Sequence, residues 1–105
     1  MNFAAPADQL FDHGLRFEDP RLPEWSAMRV QANRYRVKAI PDDWFEKVLL
    51  AEALYDHGWL TGDQALIDEA NKIAASLPES EMRGSLRRKR DAVAAGEAPY
   101  EKPGD

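Results

Sequence analysis

The sequence predicts an all-α fold: a small bundle of three to four helices with an extended Pro-rich N-terminal arm and a flexible C-terminal tail. Three observations lead there. Apolar residues recur at three- and four-residue spacing through most of the chain. Prolines and glycines fall where helices start and stop. No stretch alternates apolar and polar residues as a half-buried strand would. The expected divisions are an arm over 1–22, a helical domain over 23–96 and a tail over 97–105.

The arm holds Pro6 and Pro20 and has room for one helical turn at most, around Ala7–Phe11. "FEDPRLPEW" reads as extended, because each proline biases the preceding residue away from helix. Pro23 suits the first turn of a helix that runs to about Ala39, where Pro41 stops it. Trp25, Met28, Ala32 and Tyr35 share one face of it. Pro41, Asp42 and Asp43 open the next helix, with acids where the dipole favours them. Trp44, Phe45, Val48, Leu49, Ala51 and Leu54 make it the expected core helix, ending at His57 with Gly58 as a left-handed cap.

Thr61 and Gln64 then form a capping box ahead of the stripe Leu66, Ile67, Ala70, Ile73, Ala74 and Leu77. Ser76 and Glu79 offer a second box. A final helix is expected from about Ser80 to Ala95, capped by Gly96, with the thin stripe Met82, Leu86 and Val93.

The chain has 105 residues, enough for one domain with a modest core. Three Trp, three Tyr and four Phe are generous for that length, so some are expected at an interface. A net charge of −5 argues against a protein built mainly to hold nucleic acid. The lack of cysteine excludes disulfides, thiolate metal sites and Cys nucleophiles. No signal peptide or membrane-spanning run is visible, so no membrane partner is expected and the cytoplasm is the default location. Charge is sectored. Arg21–Ile40 holds five bases and one acid, Pro41–Leu60 five acids and one base, and Arg83–Arg90 turns basic again.

Both histidines lie in a repeated phrase, Leu10-Phe11-Asp12-His13-Gly14 and Leu54-Tyr55-Asp56-His57-Gly58. One reading makes them metal ligands with aspartate acceptors behind them. The other makes them helix ends, where a partly cationic His suits the dipole and Gly the cap. Two His without Cys are a poor metal set, which favours the helix ends. Ser26, Ser76, Ser80 and Ser85 lack a nucleophile turn, and Asp42 with Asp43 fits a first helical turn better than an acid–base pair. Arg87–Arg90 is either a patch for phosphate or nucleic acid, or the solvated face of a surface helix, or a complement to the acidic helix at Asp42–Glu52. Arg29 is the residue with most at stake. One side of it should approach the buried face, where it needs an acid of the next helix or an anionic group on another chain.

Arg29, Tyr35 six residues later and Trp44 nine beyond that, followed by "FEKVLLAEALYDHGWLT", resemble the helical N-terminal half of a nitrile hydratase β subunit. The stretch is also similar to the β subunit of thiocyanate hydrolase and to nitrile hydratase accessory proteins. Gly58-Trp59-Leu60-Thr61 and "LRRKRDAVAAGEAP" match in kind. The resemblance implies an α-type partner whose cysteine-rich loop holds non-corrin cobalt or non-haem iron, with two cysteines oxidised. Arg29 would hydrogen-bond those oxygens as the catalytic contribution, with Tyr35 and Trp44 on the substrate side. It also implies that the chain binds no cofactor itself and works with that α-type subunit and a second β-like chain, hydrating a nitrile to an amide. The alternative reading is a non-catalytic helical adaptor, inhibitor or regulator. A third is a nucleic-acid-associated protein using Arg29–Lys38 and Arg83–Arg90.

Overall fold

The structure, a computed structural model, describes residues 4–101. Among them are α1 (Ala4–Phe17), α2 (Leu22–Ala39), α3 (Trp44–Thr61), α4 (Gln64–Ser76) and α5 (Gly84–Ala94), with a 3₁₀ turn at Glu79–Glu81 and no strand. The all-α class therefore holds, with one helix more than the expected three to four.

That extra helix replaces most of the expected arm; residues 1–3 lie outside the described residues. Ala7, Leu10, Phe11, Gly14 and Leu15 occupy helical positions i, i+3, i+4, i+7 and i+8, a stripe disguised by its small members. Pro6 sits in the first turn, where a missing N–H costs no hydrogen bond. Glu18 closes the helix in the left-handed region (φ 51°), and the Asp19 N–H donates to the Gly14 carbonyl at 3.1 Å.

α2 keeps its expected length but not its expected orientation. Trp25 is buried as expected, whereas Met28 and Tyr35 are 45% and 66% exposed. The face turned inward carries Ser26, Val30 and Asn33, with Val37 at its edge. This polar face is accepted because charge pairs hold α2 in place. Arg36 forks onto Glu46 of α3 at 2.6 and 2.7 Å, and Arg34 forks onto Glu69 of α4 at 2.5 and 2.8 Å.

α3 starts at Trp44, because the Asp43 carboxylate accepts from the Phe45 N–H at 2.9 Å. It does not stop at His57 and Gly58. The helix runs on to Thr61, and Gly62 (φ 68°) is the left-handed cap. Nor does Thr61 cap α4: its hydroxyl donates to the His57 carbonyl at 2.8 Å, and Asp63 caps by accepting from the Ala65 N–H at 3.0 Å. The repeated phrase has a different use. A Cβ at Gly58 would lie 2.9 Å from Ile67 Cδ1, and one at Gly14 2.7 Å from Leu22 Cδ1. Both glycines sit inside helices, where the next helix crosses close.

α3 is the central element and packs on α2, α4 and α5. Val48, Ala51, Ala53, Leu54 and Tyr55 are fully buried in it, joined by Ile67, Ala70 and Ala74 of α4, Met82, and Leu86 of α5. Its first turn is an exception to the expected core face, since Trp44 and Phe45 are each 39% exposed. Ser76 donates to the Ile73 carbonyl instead of forming a box with Glu79, and the 3₁₀ turn delays α5 to Gly84. Gly96 (φ 77°) follows α5 as expected. The described part of the expected tail folds back: Pro99 is buried and the Tyr100 ring meets Phe11 edge-on at 5.7 Å. Residues 102–105 of that tail lie outside the described residues.

Candidate functional site: a charged cleft and an aromatic corner

Arg29 leaves α2 between α1 and α3, with its side chain 12% exposed. Its Nε donates to Asp8 Oδ1 at 2.6 Å and its Nη1 to Asp56 Oδ2 at 2.5 Å, while the guanidinium carbon stands 5.0 Å from the centre of the Phe11 ring. Burial opposes the charge, but the two carboxylates outweigh it and hold the group above its ordinary pKa. Asp56, 1% exposed, also receives Lys89 Nζ at 2.8 and 2.9 Å, and the same ammonium donates to the Pro99 carbonyl at 3.1 Å. Acid and base therefore alternate from α1 through α2 and α3 to α5. Such a chain is stable only with every member in place, since removing one charge strands its neighbours in low dielectric.

One turn back on the same helices, Ser85 Oγ donates to Glu52 Oε1 at 2.9 Å. Glu52 and Asp56 are four residues apart on α3, and Ser85 and Lys89 four apart on α5. The two pairings set α3 and α5 side by side in the same direction. They also form the inner wall of a cleft of about 560 Å³, closed on one side by Phe11 and on another by the strap from Glu97 to Glu101.

Tyr35 and Trp44 are elsewhere. Asp56, which receives Arg29, is twelve residues beyond Trp44 on α3, roughly 18 Å along the axis at the helical rise. Tyr35 lies on the outer side of α2. Trp44 stacks edge-on against Phe45 at 5.9 Å, and Arg83 lies over the Phe45 ring at 5.3 Å. With Ile40, 49% exposed, these aromatics form a corner at the α2–α3 turn. The three residues of the resemblance are thus divided between a charged cleft and an exposed surface.

The histidines do not meet. His13 lies on α1 against Phe17 and Trp25, at 4.7 and 5.9 Å. His57 lies on α3 with a buried Nδ1 that has no partner among the described residues. Burial lowers its pKa, so the ring favours the neutral form and not the cation expected of a helix end. Among the described residues no three His, Cys, Asp or Glu are grouped to hold a metal ion, and no helix is long and apolar enough to cross a membrane.

Sequence reasoning found Arg29 but missed Asp8, Glu52, Asp56 and Lys89 as its setting. The available signal was a pair of acids four apart on the most apolar helix, where unpaired charge is expensive. Comparison with family models, curated proteins and solved structures finds no match for this chain.

Proposed function

We propose that the chain is a non-catalytic helical interaction module that offers the aromatic corner at the α2–α3 turn to another protein. The observation that carries this reading is the placement of Trp44 and Phe45. They stack on each other at the start of the core helix, yet neither is taken into the core. Clustered exposed aromatics beside an arginine have the composition of a binding hot spot, and a corner held by Arg36–Glu46 presents them with little ordering cost. The outward apolar stripe of α2, Met28 and Tyr35, widens the surface available to a partner.

The test is co-expression with proteins encoded by neighbouring genes, comparing the native chain with a Trp44→Ala/Phe45→Ala variant. Recovery of a defined partner by the native chain, and its loss with the variant at unchanged melting temperature, supports the reading. Equal recovery by both moves the interface away from this corner.

A second, more specific proposal is the β-type subunit or accessory chain of a nitrile hydratase-like enzyme, working with a cobalt- or iron-bearing α-type partner. Its support is that Tyr35 and Trp44, two of the three residues of the resemblance, are exposed where a partner can reach them. It requires Arg29 to exchange Asp8 or Asp56 for an oxidised cysteine oxygen, and the intramolecular pairs oppose that exchange. Nitrile hydration by a co-purified metal-bearing partner, dependent on this chain and reduced sharply by Arg29→Lys, is the outcome this proposal demands. Full activity of Arg29→Lys removes that residue from the site.

A further inference from the structure

Three carboxylates of α3 are buried, and two have cations. Glu46 is paired with Arg36 at 2.6 Å, and Asp56 with Arg29 at 2.5 Å and Lys89 at 2.8 Å. Glu52, only 7% exposed, has among the described residues one neutral donor, the Ser85 hydroxyl. A single hydroxyl does not offset the cost of desolvating a carboxylate, which in protein interiors is met by a counter-charge. The two buried bases nearby are engaged elsewhere. Lys89 spends its donors on both Asp56 oxygens and the Pro99 carbonyl, and Arg29 is divided between Asp8 and Asp56.

Glu52 instead lines the cleft of about 560 Å³, a size suited to a small molecule. Tyr100, packed edge to face on the buried Phe11 ring, gives that cleft an aromatic wall, and aromatic faces attract ammonium groups. Asp12, Glu97 and Glu101 lie on the rim, against one rim base among the described residues, Arg88. Because the interior bases are already neutralised by Asp8 and Asp56, the cleft has a net negative field that concentrates cations.

We propose that this cleft binds a small organic cation, an alkylammonium or short diamine, with Glu52 as its counter-ion and the Tyr100 ring alongside its carbon chain. This site is separate from the aromatic corner and does not depend on what binds there.

The experiment is titration of the full chain with cadaverine, at low salt, followed by calorimetry and by amide chemical shifts, with glutarate as an anion of similar length. The expected result is saturable one-to-one binding of the diamine, no binding of glutarate, and shifts centred on Glu52, Ser85 and Tyr100. Glu52→Gln keeps the Ser85 bond and relieves the buried charge, so it should fold at least as stably while weakening binding about tenfold or more. Arg88→Ala, which removes a competing cation from the rim, should tighten binding by about threefold. Absence of saturable binding up to about 10 mM diamine overturns the proposal. So does equal affinity in folded Glu52→Gln, which would mean diffuse attraction to an acidic protein.

Discussion

Gly14 and Gly58 show how one residue type serves two purposes that look alike in sequence. Each follows Asp-His, as a helix cap would, yet each lies inside a helix at a crossing point. Alanine at position 58 would meet Ile67 Cδ1 at 2.9 Å and the Asp63 backbone carbonyl at 3.1 Å, and the latter cannot swing aside. Gly58→Ala is therefore expected to destabilise by about 1–3 kcal/mol through overpacking, despite the better helix propensity of alanine. Gly84 has open space around it, so Gly84→Ala should be neutral or stabilising by up to about 1 kcal/mol. Urea unfolding of the two variants checks the contrast. At the same scale, Asp56→Ala leaves Arg29 and Lys89 without their shared acceptor and should cost about 3–5 kcal/mol. A loss under about 1 kcal/mol would mean that water reaches the pair and screens it.

At the scale of elements, α2 had two faces it could have buried. Trp25 is buried, but Met28, Ala32 and Tyr35, which continue its more apolar stripe, are not; Ser26, Val30, Asn33 and Val37 make the face that went in. Periodicity sees both and ranks them by hydrophobicity. It does not see Arg34 reaching Glu69 or Arg36 reaching Glu46, which set the rotation of the helix. α1 is joined to the rest differently. It packs on α2, to which Asp8 also ties it through Arg29, and beyond that helix Phe11 meets Tyr100 of the strap. Such an element belongs to the low-stability end of a fold. In hydrogen exchange, the α1 amides are expected to exchange well before those of α3, and truncation after Gly96 should speed α1 further by removing Tyr100. Protection of α1 equal to that of α3 would contradict this order.

For the molecule as a whole, His57 and Tyr55 should hold stability level between about pH 7 and about pH 10 and lower it on both sides. His57 has a pKa lowered by burial, so the unfolded state binds its proton more readily and stability declines as pH falls through about 6.5. Tyr55, fully buried with its hydroxyl donating to Asn71 Oδ1 at 2.5 Å, has a pKa pushed up to about 12 by burial. Its raised value contributes stability that is complete below the unfolded pKa near 10 and is lost as pH rises through about 12. Thermal melts across pH should show both slopes, with His57→Gln flattening only the acidic one. An unchanged acidic slope in that variant would assign the effect to other groups.

By itself the sequence determined the helical class, both ends of α2 to within a residue, the core membership of Val48, Ala51 and Leu54, and the cap at Gly96. These follow from proline, glycine, caps and periodicity, which act over about one helical turn and so are legible locally. Only the tertiary structure decided that Asp8, Arg29, Asp56 and Lys89 form one chain of charges, across separations of 21, 27 and 33 residues. It also decided that Glu52 is buried with no cation beside it among the described residues, and that Trp44 stays outside the core. A charge carries no signal of its partner along the chain. Which acid meets which base depends on how the helices cross, and those crossings are where Gly14 and Gly58 let two backbones approach.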